Sequence, residues 1–354
     1  MSNSRKENRI PLIGTEFMHG FGLGNQLFWY VCARAAAKDK GCEFGIINPK
    51  GLANNMHSDT GMYFMDIDMG IEITQEDKSH FKIFEDADHR LYLGNSSHDM
   101  EHGAYVSGVD QRFFEIGDNT LLYGNLQAEK YFEKYKSELK DWLKVKPEYD
   151  SHEYTKDNLC IIHLRCGDYS NSPELWLDRK YWLNGIKNMK KIRPDMEFLA
   201  VTDDVSAAYK ILPEVKAVTN DLAKDYVTIK NARYLLLSNS SFAVFPAMTS
   251  DELEYAIAPK YWARHNVSDG YWASEQNIYS CFHYMDKKGK VFSPKECKEE
   301  LERYKETSDV YKHIDQRPGK ALRFCQKIRS KALYFEYMSK KAYRSLERRM
   351  GFIG

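Results

Sequence analysis

No stretch of this 354-residue sequence approaches the roughly 18 uninterrupted apolar residues of a membrane span, and the opening MSNSRKENRIPLIG lacks the apolar run of a signal peptide. The expectation is a cytoplasmic chain. Neither sign of charge is in excess: Lys+Arg and Asp+Glu both number 51, so no global field draws a polyanion and no nucleic-acid partner is expected. No CxxC pair occurs among the seven cysteines (Cys32, Cys42, Cys160, Cys166, Cys281, Cys297, Cys325), which are odd in number and scattered. That pattern argues against a disulfide framework and against a zinc site. The phosphate-binding signature GxxxxGK[ST] is missing, and the glycine-rich GLGNQL falls short of GxGxxG because Leu27 stands where the third glycine would be. HExxH is missing as well, so a catalytic zinc has no support. The two DxD spacings, Asp66-Ile67-Asp68 and Asp86-Ala87-Asp88, lie in an Asp-rich irregular region and read as chance.

The composition is that of a soluble globular protein, with 43% hydrophobic, 29% charged and 14% aromatic residues, and the length suits two domains, each with its own core. The N-terminal half opens IPLIGTEFMHGFGLGNQLFWYVCARAAAKDKGCEFGIIN, which predicts a strand, a glycine-rich turn, an alanine-rich helix ending near Gly41, and a second strand. Residues 50 to 115 resist assignment. The run LQAEKYFEKYKSELKDWLKVK from 126 to 146 has helical spacing at Tyr131, Tyr135, Leu139 and Trp142, and the polar stretch after it suggests a boundary near residue 150. Beyond it, strand LCIIHLR, helix RKYWLNGIKNMKKI, strand EFLAVTDD, helix VSAAYKIL, strand VKAVT, helix YVTIKNARYLLL and a strand-like SFAVFPA alternate regularly. Repeated β-then-α units predict a parallel sheet, whose ligands bind at the carboxyl ends of its strands.

The stretch IIHLRCGDYS (161–170) therefore matters. If LCIIHLR is a parallel strand, His163, Arg165 and Asp168 lie at or just past its carboxyl end, with Gly167 permitting the sharp exit. A planar guanidinium suits phosphate oxygens, and a carboxylate can accept a proton or orient the arginine. The bland alternative is an Arg165–Asp168 ion pair at a strand end, with His163 a satisfied core residue.

HLRCGDY resembles the HxRRGDY motif of the glycosyltransferase family that contains the bacterial α-1,2-fucosyltransferases. Three more segments resemble that family in the same order: GLGNQLFWY (22–30), AVTDD (200–204), and DYVTIKNARYLLLSNSSFAVFPA (225–247), the last followed by AIAPKYW (256–262). The resemblance implies a GT-B architecture with two Rossmann-like domains facing a cleft: residues 1–150 as a probable acceptor-side domain, 151–295 as the donor-binding domain, and 296–354 as a helical basic tail. It further implies inverting, metal-independent transfer from GDP-fucose, with no cofactor, to an oligosaccharide or lipid-linked glycan in polysaccharide biosynthesis. Residue by residue, it would set Arg165 on the donor pyrophosphate and His163 and Asp204 on the nucleotide; for Asp203 and Asp204 the alternative is the N-cap of the following helix, and one of the two could serve each role. Asn239, Ser240 and Ser241 would gather phosphate oxygens, as would the backbone around Gly22, Gly24, Asn25 and Gln26. Asp168 and Glu174 are the candidate bases, Asp168 ranked slightly ahead. Two departures stand out: Cys166 replaces the motif's second arginine, and Val244-Phe245-Pro246 replaces an aromatic-glycine segment. They leave open the same fold with another nucleotide sugar, or a catalytically silent glycan-binding relative.

The tail from 320 to 349 predicts a helix with an apolar stripe at Phe324, Ile328, Phe335, Met338, Ala342 and Leu346, ten basic residues and two acidic ones. Two readings stand: a helix packed on the catalytic domain with a solvated basic face, or a peripheral helix on the inner face of the membrane, facing anionic lipid.

Overall fold

The computed structural model describes residues 10–18, 20–49, 63–87, 89–92, 104–105, 108–171, 175–266, 268, 270, 272, 274–308, 311–317 and 319–321, together with 323–325, 327–329, 331–332, 335, 338–339 and 342. The chain divides into two compact units, Met1–Ala87 with Val109–Asp150, and Asp88–Gly108 with Ser151–Gly354. The stretch 88–108 thus belongs to the second unit although sequence order sets it among residues of the first. It is held there by Asp315, which accepts from the Arg90 amide at 2.8 Å and pairs with the His89 ring at 2.8 Å. The short antiparallel pair β5 (Arg90–Leu91) and β6 (Ala104–Tyr105) lies in it.

In the first unit, β1 (Leu12–Glu16), β2 (Glu43–Ile47), β3 (Ile71–Ile73), β4 (Lys82–Glu85) and β7 (Thr120–Tyr123) form a parallel sheet in the order β3-β2-β1-β7-β4. Helix α1 (Leu23–Lys40) connects β1 to β2 and ends at Gly41, whose φ of 65° is left-handed, as a helix-terminating glycine requires. Two glycines in register, Gly14 on β1 and Gly45 on β2, leave a trough across the sheet that the Ile73 side chain occupies.

The second unit carries β8 (Leu159–Leu164), β9 (Glu197–Thr202), β10 (Lys216–Val218), β11 (Tyr234–Leu237), β12 (Tyr255–Pro259), β13 (His283–Met285) and β14 (Val291–Phe292), in the order β10-β9-β8-β11-β12-β13-β14. All pairings are parallel except β13 with β14. The connecting helices are α2 (Arg179–Ile192), α3 (Val205–Ile211), α4 (Leu222–Lys230) and α5 (Val244–Met248). Strand alternation sends Cys160, Ile162 and Leu164 into a core shared with Tyr181, Trp182 and Met189 of α2 and with Ala208 and Ile211 of α3. His163 takes the opposite parity and meets Phe242, which in turn meets Tyr226 of α4. After β14, α6 (Pro294–Thr307) starts with a reciprocal cap between Ser293 and Glu296. Two parallel-sheet α/β units agree with the Rossmann-like domains expected.

Three segments differ from the expectation. YVTIKNARYLLL is not one helix: α4 stops at Lys230, and Tyr234–Leu237 is the buried strand β11. Four apolar residues flanked by polar turns fit a buried strand as well as a helix end, and the sheet decides. SFAVFPA is helical rather than extended, with a 3₁₀ turn at Ser241–Ala243 leading into α5. Pro246 fits there because the third position of a helix has no intrahelical partner for an amide. The 126–146 run is broken into 3₁₀ turns at Glu129–Tyr131 and Glu133–Glu138 and a helical turn at Leu139–Trp142. Its tyrosines are tied to different elements, Tyr131 donating to Asp86 and Tyr135 to Asp39, each at 2.8 Å.

The tail also departs from the packed-helix reading. Its described residues between 320 and 342 are helical, but Phe324, Ile328, Phe335 and Met338 are 66, 57, 74 and 42% exposed. No helix among the described residues is long and apolar enough to cross a membrane.

Gly14→Ala tests the glycine trough. A Cβ at residue 14 would stand 2.6 Å from the Gly45 carbonyl oxygen and 2.6 Å from Ile73 Cδ1. Neither backbone nor buried side chain can yield freely, so urea unfolding should show a loss of about 1–3 kcal/mol.

Candidate functional site

In the second sheet the strand sequence runs outward from β8 through β9 to β10, then returns to β11 on the other side of β8. Right-handed crossovers on opposite sides of such a reversal leave a crevice at the carboxyl ends of the two central strands. The sequence places three of its candidate groups there. Arg165 follows β8, Asp203 follows β9, and Ser238 to Ser241 follow β11.

Asp203 organises this edge. Its Oδ1 accepts from the Cys166 amide at 2.8 Å and from the Gly167 amide at 3.1 Å, and its Oδ2 lies 3.1 Å from Arg165 Nη1. Burial raises the Asp203 pKa, but Arg165 and the two amides outweigh it and hold the carboxyl below its ordinary value. Gly167 is needed because a Cβ there would meet Asp203 Oδ2 at 2.9 Å. The Arg165 guanidinium also lies 5.2 Å from the Tyr169 ring centre, and the Tyr169 hydroxyl donates to the Asn239 carbonyl at 3.3 Å. Arg165 thus has Asp203, from the neighbouring strand end, as an ion-pair partner that the sequence spacing did not point to. Asp168 opens a 3₁₀ turn, Asp168–Asn171, directly after the β8 exit, and its side chain lies outside the described residues, as does all of Glu174.

Asp204 takes the capping role: its Oδ1 accepts from the Ala207 amide at 2.9 Å at the start of α3. His163 is 4% exposed, with Nδ1 3.4 Å from Ser238 Oγ. Burial, and then the charge of Arg165, push its pKa down to about 3, so it is neutral near pH 7. Asn239 Nδ2 donates to the Leu175 carbonyl at 3.2 Å, while its Oδ1 is buried with no hydrogen-bond partner. Ser240 caps the turn by accepting from the Phe242 amide at 3.4 Å, and Ser241 begins that turn. Cys166 is buried among core side chains, and burial pushes its thiol up to about 12. It is no thiolate nucleophile near neutrality.

One group was missed. Asp225, in the first turn of α4 beyond the end of β10, accepts from Asn220 Nδ2 at 2.9 Å. Burial, then the charges of Asp221 and Asp203, push its pKa up to about 6. The sequence signal was the Asp opening DYVTIKNARYLLL, overlooked because acids are common in first helical turns.

In the first unit the reversal falls between β1 and β7. The glycine-rich segment follows β1 there, and Gly22 is the N-cap of α1 with no side chain capping the helix. Gly24 is buried in the first turn; Asn25 Oδ1 accepts from Gln127 Nε2 at 3.0 Å. Gln26 Nε2 donates to the Phe21 carbonyl at 2.7 Å, closing the loop, while its Oε1 is buried without a partner. Uncapped helix amides beside two glycines can receive an anion. Of the DxD pairs, Asp86 is a structural tie, accepting from the Leu126 amide at 3.1 Å and from Tyr131. Asp66 and Asp68 lie 3.8 Å from Lys144 and Arg34 respectively, and Asp88 is outside the described residues. Among the described residues no three His, Cys, Asp or Glu side chains gather as a metal-binding group.

No protein-family model matches the chain, and no curated protein matches it. Among solved structures it is similar to POFUT1 in complex with GDP-fucose, with a TM-score of 0.43 and 12% identity over 70% of this chain and 98% of that one. NodZ α-1,6-fucosyltransferase soaked with GDP-fucose gives a TM-score of 0.39 and 13% identity over 67% and 92%. The E. coli heptosyltransferase WaaC with ADP gives 0.36 and 7% over 82% and 99%. At such identities and scores none of these likenesses fixes an activity.

The burial of neutral His163 carries a stability consequence. Its folded pKa lies below the unfolded value, so as pH falls the unfolded chain takes up the proton first. Stability should therefore decline as pH drops below about 6.5 and continue to decline toward about 3. Unfolding free energies from urea titrations between about pH 7.5 and 5 should fall less steeply in His163→Gln, by on the order of 1 kcal/mol per pH unit.

Proposed function

We propose that the chain is an inverting, metal-independent glycosyltransferase that takes GDP-fucose as donor and makes an α-1,2-type linkage to an oligosaccharide or lipid-linked glycan. The observation that carries this is Arg165, fixed by Asp203 and Tyr169 at the carboxyl-end crevice between β8 and β11, within the HLRCGDY segment. A guanidinium whose side chain is 13% exposed, already oriented before any ligand arrives, meets a developing diphosphate charge with little reorganisation. The Asn239–Ser241 turn offers amides and hydroxyls across the same crevice.

In the transfer, the acceptor hydroxyl oxygen attacks the anomeric carbon of the sugar as the bond from that carbon to the diphosphate oxygen breaks. The hydroxyl proton passes to a carboxylate, Asp168 in first place and Glu174 in second. The negative charge that collects on the leaving GDP is offset by Arg165, and neutral His163 forms the buried wall below. Asp225 is a suitable acceptor for the paired N–H donors of guanine when ionised.

Calorimetric titration of GDP, UDP and GDP-fucose in the presence of a chelator tests this reading. GDP and GDP-fucose should bind in preference to UDP, and Arg165→Ala should weaken them about 10- to 100-fold with the fold unchanged, as loss of a charge-assisted phosphate contact requires. A preference for UDP, or no effect of Arg165→Ala, overturns it.

The Asp225 carboxyl gives a separate test. Because it ionises only above about 6, GDP affinity should rise as pH is raised through that value, and Asp225→Asn should flatten the profile. A profile unchanged in the variant removes Asp225 from the nucleotide site.

A further inference from the structure

We infer that the helical tail beyond residue 319 is a docking surface for an anionic lipid bilayer. This goes beyond the proposed transfer chemistry and stands whether or not the donor is GDP-fucose.

At 100° per residue, Phe324, Ile328, Phe335, Met338 and Ala342 fall within an arc of about 80°, a narrow apolar stripe along one side of the helix. Their side chains face solvent: Phe335 is 74% exposed and Phe324 66%. Two of the four largest are aromatic, the residues with most to gain from leaving water. Among the described residues this stripe faces solvent and is not packed into the core.

Charge selects the occupant. Lys320, Arg323, Lys327 and Lys331 lie in or beside the stripe, largely along one flank, and all are exposed. Arg329 adds a further exposed cation, and no acidic residue stands among the described positions from 319 to 342. The chain as a whole is balanced, with 51 basic and 51 acidic residues, so this segment holds a local excess of positive charge. Long basic side chains flanking an apolar stripe can extend their ammonium groups to lipid phosphates while their stems and the apolar residues enter the acyl boundary. An acidic protein or a nucleic acid would satisfy the cations and leave Phe324, Ile328 and Phe335 in water. An uncharged bilayer would take the stripe and leave the cations without partners. An anionic bilayer satisfies both, and a helix lying in its interface plane need not be long and apolar enough to span it.

The test uses the full chain in flotation with two kinds of vesicle, phosphatidylcholine alone and phosphatidylcholine with about a third phosphatidylglycerol. Binding to the mixed vesicles only, decreasing with added salt, is the expected result. Replacing Lys320, Lys327 and Lys331 with Gln should lower the partition coefficient on the order of a hundredfold. Replacing Phe324, Ile328 and Phe335 with Ser should abolish it. Both variants should keep the wild-type melting temperature, since these side chains are exposed, and GDP titration of the variants separates failure of the tail from failure of the donor site. No binding to the mixed vesicles, equal binding to both kinds, or binding undiminished in either variant overturns the proposal. So does capture by polyglutamate or by nucleic acid in place of vesicles.

Discussion

The order in which the second sheet is laid down constrains everything at its working edge. Because the chain builds β8, β9 and β10 in one direction and then crosses back to β11, the loops leaving β8 and β11 diverge, the arrangement that opens a crevice at the carboxyl ends of such strands. Diverging loops would ordinarily be the least fixed part of a domain. Here Asp203 reaches from the neighbouring strand end and takes two amides of the β8 exit and the Arg165 guanidinium together. One carboxylate thus converts a loop into an oriented cation, and Tyr169 ties that loop across the crevice to the β11 turn.

Burial then decides which groups at this edge carry charge. His163 is one residue from the strand end, where a second cation would compete with Arg165. Desolvation and the arginine's own field keep it neutral instead. Asp203 remains ionised because its three donors outweigh its burial, whereas Asp225, more deeply buried and with the carboxylates of Asp221 and Asp203 nearby, ionises only near pH 6 despite the Asn220 side chain and amide. The result is a fixed positive charge, Arg165, in a partly dry setting, where it acts more strongly than it would in water.

What the residues revealed in advance follows from where their signals reside. The β-then-α rhythm from 159 to 211 was legible because those helices are amphipathic and the strands are bounded by turns; α2 in particular matches RKYWLNGIKNMKKI. Arg165 could be placed because a strand's carboxyl end fixes the direction of the residue after it. Its partner could not: Asp203 is 38 residues away, and only the parallel pairing of β8 with β9 brings the two together. YLLL and SFAVFPA were misassigned for a related reason, since short apolar runs carry no period and their state is settled by the neighbouring strands. The stretch 88–108 shows the same limit at the scale of units, since a contact with Asp315, more than two hundred residues on, overrides chain order.

The two departures from the HxRRGDY family pattern take a different meaning once their side chains are located. Cys166 turns its thiol into the core beneath the loop and contributes to the edge through its amide, which any residue but proline could supply. Val244, Phe245 and Pro246 are likewise buried, inside α5. Both substitutions therefore act on packing under the crevice. Among the described residues, Arg165, Tyr169 and the Asn239–Ser241 turn stand at its edge, and these keep the residue types of the pattern. What they do alter is how the loop is supported from below. A small thiol in place of a long cation fills the space beneath the loop with an apolar contact, while the loop's amides and the Arg165 guanidinium are held from the neighbouring strand end by the Asp203 carboxylate.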